Sequence, residues 1–533
     1  MVSLPGWRRL RWPLLALAYL LLAYSPRHYW DEYFYLVSLR DHPPAALFAL
    51  EPHLGGLFPA GFFTAKSAFV LLLHRLIAWT GDGATALGVI RGVFALGMLA
   101  FLGAARGLLG ELLPRRRADG AALLVALSPL ALYLGYKTLS EVPSLLFTTL
   151  GGWAFLAAFR AGGRGRAALC LAGAVAALTL GLASRFPALL GFGAMLAGLL
   201  LFDPRRYPGR RVLAWGAGVC VAVLASWLLL WLAWVDAPLE RLAGLVSNLS
   251  GRRESPLLKL YAVLITVQAF LPFAARPLLS RWDGLTRLAA VWLVLATLPF
   301  LAGSAYAEPR FLYLGLLPLG LLTWRGYELL AAGGRRRRRA AGMGLAAAAA
   351  LNWGLLVPLM PYEIHEARYA RLLADRAALP PGATLLTPWL SDYGYLAFAH
   401  PRRRLRLVLT WAKNGDPRFY RSAAFRRWVG EGRYLADLDG LAREPRPWRY
   451  LGWAYNPLLG EIHGMLRALG LAAGRLHYSP NQKNHLCLSW IAGEPALASR
   501  EIARVGTYRV FDLTPLAAAR DPAPRALPAS CRG

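Results

Sequence analysis

Apolar runs of membrane-spanning length alternate with short arginine-bearing turns over the first two thirds of the chain. After a first apolar segment inside residues 8–25, candidate spans run over 84–109, 121–136, 142–159, 167–183, 186–202, 212–235, 257–275, 288–302, 311–330 and 340–360. Each is near the length a helix needs to cross a hydrocarbon core of roughly 30 Å. Arginines 115–117, then Arg164 and Arg166, then Arg205, Arg206, Arg210 and Arg211, then Arg276 and Arg281, then the run 335–339 fall in every second turn. Cytoplasmic turns carry such an excess, so these turns are expected inside and the intervening ones outside. The stretch 61–79 breaks the alternation, because a crossing there would put all five arginine clusters on the wrong side. It is therefore expected to lie on the outer surface as an amphipathic helix, with Lys66, His74 and Arg75 on its polar side; snorkelling of Lys66 and Arg75 from a tilted span is the competing reading.

The expected architecture is mainly α: a polytopic bundle of about eleven spans over residues 1–360, with the N-terminus cytoplasmic and a first external loop at 26–83. Beyond Pro361 the apolar runs shorten, and segments 383–387, 405–409 and 508–513 alternate like short strands. Residues 361–533 are expected to form a small extracytoplasmic α/β domain. A basic start, a short apolar stretch and small residues at Ala23 and Ser25 also describe a cleavable signal peptide. Either way the residues that follow lie outside the cytoplasm.

Composition agrees with a polytopic membrane protein, for which the plasma (inner) membrane is the expected location: 57% of the 533 residues are hydrophobic and 17% charged. The net charge of +31 taken alone suggests a nucleic-acid partner, but the arginines sit in turns between apolar runs rather than along one soluble face, which argues against one. The run 335–339 reads as a topological anchor that also attracts anionic lipid. Four cysteines are too few for a disulfide framework, and none is assumed. His28, His42, His53 and Glu51 share the first external loop, yet their spacing matches no tight metal-ligand motif. The tripeptide Asn248-Leu249-Ser250 fits a glycosylation pattern too common to carry weight.

Ionisable residues that this topology sends to the outer face are the candidate chemistry. Asp31 and Glu32 open the first external loop, Lys137, Ser140 and Glu141 occupy the next, Arg185 the following turn, and Glu308 and Arg310 the last. Acids are costly in hydrocarbon, so acids at a membrane rim face water or line a polar cavity. Acids mixed with cations suit sugar transfer from a lipid phosphate: a carboxylate takes the proton of the attacking hydroxyl, and fixed cations stabilise the departing phosphate. Structural readings stand beside these. Asp31 as N-cap of a helix beginning at Tyr33, with Glu32 in its first turn, needs no catalysis. Ser140 as N-cap, Glu141 in the first turn and Pro143 just inside make a good helix start. Arg310 can pair with Glu308 or snorkel, and Arg185, in Ser184-Arg185-Phe186-Pro187, has the same alternatives.

This arrangement resembles the GT-C glycosyltransferases, which include protein O-mannosyltransferases and lipid A aminoarabinose transferases. The resemblance covers residues 12–360 and rests on Tyr29-Trp30-Asp31-Glu32-Tyr33-Phe34-Tyr35 after the first span, on Ser128-Pro129-Leu130 leading to Leu139-Ser140-Glu141-Val142-Pro143, and on Glu308-Pro309-Arg310-Phe311-Leu312. It implies that Asp31 activates the acceptor, that Glu141 is the second acid, and that Arg310 is a late-loop cation near the donor phosphate. It further implies a polyprenyl-phosphate sugar as donor and a hydroxyl on a lipid, glycan or protein as acceptor. Asp31 is then expected as general base, with Glu32 and Glu141 orienting it or the sugar. Arg310, with Arg185 and Lys137, would hold the phosphate. No cofactor is required by this chemistry, and a divalent metal is compatible with it. The first-loop histidine and proline pattern is reduced here to Asp41-His42-Pro43-Pro44, and residues 361–533 match no known acceptor module. A lipid-linked sugar flippase or a non-catalytic scaffold are the competing classes. A flippase predicts polar groups near the midplane at broken helices or repeats, whereas these lie at one rim.

Overall fold

The computed structural model describes residues 7–23, 30–50, 63–135, 138–235, 259, 263–264, 266–303, 309–356, 375, 378–379, 384–387, 398–399, 406–409, 434–438, 501–505 and 508–512. The chain divides into two compact units. One holds residues 1–25, 61–72 and 90–358, the other 26–60, 73–89 and 359–533.

The first unit is a helical bundle. Its helices are α1 (Trp7–Ala23), most of α5 (Ala84–Leu112), α6 (Arg115–Ala126), α7 (Pro129–Leu134), α8 (Glu141–Ala158), α9 (Arg164–Ser184), α10 (Ala188–Leu199), α11 (Gly209–Leu230), α12 (Leu271–Ser280), α13 (Gly284–Gly303), α14 (Leu316–Ala331) and α15 (Arg335–Leu356). Helix α4 (Ser67–Thr80) begins in this unit and continues into the other. Among the described residues, Ala84–Leu112, Arg164–Ser184 and Gly209–Val235 are long and apolar enough to cross a membrane. Shorter apolar helices cover Leu10–Ala23, Ala188–Leu199 and Gly284–Phe300. The expected total of about eleven spans goes beyond these. The protein is an integral membrane protein.

One expected span is not a single helix. Residues 121–136 divide between α6 and α7 at Ser128-Pro129, because proline has no N–H to continue the backbone ladder. The break is satisfied locally. Ser128 Oγ donates to the Val125 carbonyl at 2.8 Å and accepts from the Ala131 N–H at 3.2 Å, capping α7. The wholly buried Tyr19 on α1 donates its hydroxyl to the Ala126 carbonyl at 2.8 Å. Carbonyls orphaned inside an apolar bundle are costly, so these two side chains make the break tolerable.

Close helix packing depends on glycine, as two contacts illustrate. A Cβ on Gly151 of α8 would come within 2.5 Å of Leu178 on α9, and one on Gly326 of α14 within 1.8 Å of the Phe273 carbonyl on α12. These helices approach backbone to side chain and backbone to backbone.

A network of ion pairs forms at one end of this bundle. Asp119 pairs with Arg11 at 3.3 Å and with Arg106; Arg160 pairs with Glu111 at 2.9 Å, while the Tyr207 hydroxyl donates to the Glu111 carbonyl at 2.9 Å. Arg117 reaches Glu328 at 3.0 Å, and Arg325 binds both Glu328 at 3.0 Å and Asp283. These contacts tie the ends of α1, α5, α6 and α14 and the turns before α9, α11 and α13 into one rim.

In the second unit, α2 (Trp30–Asp41) and α3 (Pro44–Leu50) precede a five-stranded mixed sheet ordered β2-β1-β3-β5-β4. Its strands are β1 (Thr384–Thr387), β2 (Arg406–Leu409), β3 (Tyr434–Leu438), β4 (Glu501–Val505) and β5 (Tyr508–Asp512). Strand β1 pairs in parallel with β2 and β3, while β5 pairs antiparallel with β3 and β4. Strands were expected at the positions of β1, β2 and β5. Strands β3 and β4 were not, and the helices expected around the sheet lie outside the described residues. The Gly83 N–H donates to the Phe398 carbonyl at 2.8 Å, so the turn between α4 and α5 is bound to the C-terminal part of the same unit.

Candidate functional site

At the end of the bundle opposite the arginine rim, three elements meet. Glu141 is the first residue of α8, ahead of the apolar run 142–159. Arg185 is the extended residue that ends α9. Arg310 lies in the 3-10 turn Pro309–Gly315 leading into α14. Glu141 is 1% exposed and the two arginines 8% each. Arg185 Nη1 stands 2.9 Å from Glu141 Oε1, and Arg310 Nε stands 3.7 Å from the same oxygen. The rim and this cluster occupy opposite ends of α8, whose 18 residues span about 27 Å at ~1.5 Å per residue, close to a hydrocarbon thickness.

The surrounding side chains fix the guanidinium groups. Ser140 Oγ accepts from Arg185 Nη1 at 3.1 Å and donates to Glu141 Oε2 at 3.3 Å. It occupies the N-cap position of α8 with Glu141 in the first turn, as the helix-start reading has it, but makes no capping bond to the helix backbone; its hydroxyl instead bridges acid and base. Both guanidiniums lie 5.2 Å from the centroid of the Phe311 ring, and Arg185 lies 5.6 Å from that of Tyr313. The buried Tyr313 and Ser144 hydroxyls share a hydrogen bond at 3.1 Å. Arg185 Nε is buried without a hydrogen-bond partner. Burial pushes the Glu141 carboxyl up, but Arg185, then Arg310 and Lys66, more than offset this and hold it below the usual carboxylate range. Glu141 is thus a fixed anion and a poor proton acceptor.

Other expected site residues fall differently. Glu32 is completely buried in the other unit. Helix α2 begins at Trp30 rather than Tyr33, which puts Asp31 and Glu32 inside its first turn and removes the N-cap reading of Asp31. First-turn acids are favoured by the helix dipole. The Asp31 side chain, Lys137 and Glu308 lie outside the described residues, as do His28, His53 and Asn248. Among the described residues no group of three histidine, cysteine or acidic side chains gathers to hold a metal.

Two cations were missed. Lys66 acts electrostatically on Glu141 from the 3-10 turn Thr64–Lys66 that precedes α4. Arg91 is 3% exposed on α5, inside the expected span 84–109. The signal for both was visible: a cation inside an apolar run is a functional candidate by default.

No protein-family model and no curated protein matches this sequence. Solved structures do. The apo crystal structure of ArnT from Cupriavidus metallidurans superposes with a TM-score of 0.57 at 13% identity, covering 97% of this chain and 99% of that one. ArnT from the same organism bound to undecaprenyl phosphate gives 0.56 at 14% identity, over 98% and 100%. The chain has the GT-C fold. The apo oligosaccharyltransferase from Archaeoglobus fulgidus matches at 0.50 and 13% identity, over 90% of this chain and 73% of that one. At such identities the likeness fixes the GT-C fold alone.

Proposed function

We propose that this protein is an integral membrane glycosyltransferase that moves a sugar from a polyprenyl-phosphate donor to a hydroxyl acceptor outside the cytoplasm. The observation that carries the reading is the pair of buried guanidiniums converging on one carboxylate, with Arg185 Nε still lacking a partner. Buried arginines persist where an anion completes their pairing, and a planar guanidinium suits phosphate oxygens. The fold neighbour ArnT has been crystallised with undecaprenyl phosphate, and a lipid phosphate is the anion proposed here.

In this reading Arg185 and Arg310, with Lys66 adding charge, hold the donor phosphate. Glu141 and Ser140 orient the two guanidiniums. The acceptor hydroxyl oxygen attacks the anomeric carbon while its proton passes to Asp31. The carbon–oxygen bond to phosphate breaks, and its electron pair stays on the phosphate oxygen, where the arginines stabilise it. Glu141 is unsuited to the base role because its proton affinity is lowered. Asp31, with Glu32 beside it in the first turn of α2, is the candidate base.

Two measurements test this. Undecaprenyl phosphate binding by purified protein is expected to weaken at least tenfold, more than about 1.4 kcal/mol, in Arg185→Ala and Arg310→Ala and to persist in Asp31→Asn. Transfer of radiolabelled sugar from the carrier is expected to vanish in Asp31→Asn. Undiminished binding by both arginine variants would remove the phosphate role, and full transfer by Asp31→Asn would remove the base. Transbilayer movement of the lipid-linked sugar without transfer would favour a flippase.

A further inference from the structure

The corner between α12 and α13 joins the arginine rim through the Asp283–Arg325 pair. Helix α12 buries Phe273, Ala274 and Pro277 and leaves Arg276 and Leu279 exposed, the latter 83%. Its backbone is pressed onto α14 at Gly326, so it is held firmly. The corner continues through Arg281 and Trp282, the latter 59% exposed, to Arg287 in the first turn of α13.

Within residues 276–287 there are three exposed arginines and one carboxylate, Asp283. That carboxylate is already engaged. Its Oδ1 accepts from the Thr286 N–H at 2.9 Å and the Thr286 hydroxyl at 3.0 Å, and its Oδ2 pairs with Arg325. Burial raises its proton affinity, and the Thr286 and Arg325 bonds more than reverse this, so it is a spent anion at neutral pH. Arg281 stays 3.9 Å away from it with its side chain 66% exposed. Arg276 and Arg287 make no ion pair among the described residues.

Two further features specify the ligand. Arginine turns belong on the cytoplasmic surface, where anionic lipids collect. Leu279 and Trp282 alternate with the arginines, and an exposed leucine and an indole suit the boundary between headgroups and acyl chains. We propose that the corner 276–287 binds one anionic phospholipid, with Arg276, Arg281 and Arg287 on its phosphate and Leu279 and Trp282 against its acyl chains. The ligand's chemistry is a phosphodiester joined to an apolar tail, which separates it from free phosphate.

The test uses the full chain in nanodiscs of phosphatidylcholine, with and without phosphatidylglycerol. The wild type is expected to melt higher with the anionic lipid. The triple variant Arg276→Gln, Arg281→Gln, Arg287→Gln is expected to match wild type in neutral discs and to lose most of that increment. At roughly 1 kcal/mol per basic residue near the surface, its affinity for the anionic lipid falls about a hundredfold. If the variant also melts lower in neutral discs, the corresponding triple lysine variant, which keeps the charge, must restore the increment, and its failure to do so overturns the site. A full increment in the glutamine variant, an equal increment lost by neutralising the run 335–339 instead, or the same stabilisation by free glycerophosphate would each overturn it too.

Discussion

Arginine does opposite work at the two ends of the bundle. At the rim, Arg106, Arg117 and Arg160 are 42–53% exposed and pair with carboxylates that water also reaches. At the other end, Arg185 and Arg310 are about nine-tenths buried and share a single carboxylate. Exposed pairs are worth little because water solvates both partners nearly as well. Buried charges are strongly committed, because removing one partner leaves the other uncompensated in a poor solvent. The rim pairs are therefore weakly committed and open to water, while the buried cluster stands or falls with its charge balance, which is what the proposed phosphate role draws on.

The sharpest way to break this contrast is Glu141→Gln, which keeps the shape and removes the charge between two buried guanidiniums. Loss of one member of such a set costs about 3–5 kcal/mol, so a large fall in thermal stability is expected, partly recovered by undecaprenyl phosphate if a phosphate can replace the carboxylate. A pH scan gives the same information by titration. The folded Glu141 carboxyl binds protons less readily than the unfolded one. Its contribution is therefore fully present above the ordinary carboxylate range and is lost as pH falls through the lowered folded value. Wild type should lose stability faster than Glu141→Gln on acidification; parallel curves would show that the carboxylate is not held by the arginines.

Next in size is Gly326→Ala, a test of packing without charge. Its new methyl would meet the Phe273 carbonyl at 1.8 Å, so α12 and α14 must separate. Overpacking of this kind costs about 1–3 kcal/mol, read as a lower melting temperature. The variant should also weaken the anionic-lipid increment, because α12 carries Arg276.

Much of the bundle was legible because hydropathy sets helix length directly. Expected runs such as 142–159 and 167–183 coincide with α8 and α9 within a few residues. The break at Ser128-Pro129 was missed even though proline is visible, since an apolar run looks continuous until the backbone donors are counted. Strands β3 and β4 went unseen because Tyr434–Leu438 and Glu501–Val505 are short, and Glu501 and Arg504 blur the alternation in β4. Glu141, Arg185 and Arg310 could be picked out by the sign of their charge at helix ends. Lys66 was set aside as a surface or snorkelling lysine. The Ser144–Tyr313 bond joins positions 169 apart in the chain, and no local pattern announces it.

The smallest expected effect lies at the rim. Asp119 pairs with Arg11 and Arg106, yet the three side chains keep 17%, 24% and 42% of their surface in contact with solvent. Each pair is then worth less than about 1 kcal/mol and is screened by salt. Asp119→Asn should lower the melting temperature only slightly at low ionic strength and by still less at high, whereas the loss in Glu141→Gln should barely respond to salt because ions do not enter its site. The decisive quantity is the ratio of the two losses as salt is raised. A ratio that stays near one would mean that burial does not separate the two ends, and nothing physical would then mark Arg185 and Arg310 as reserved for a phosphate.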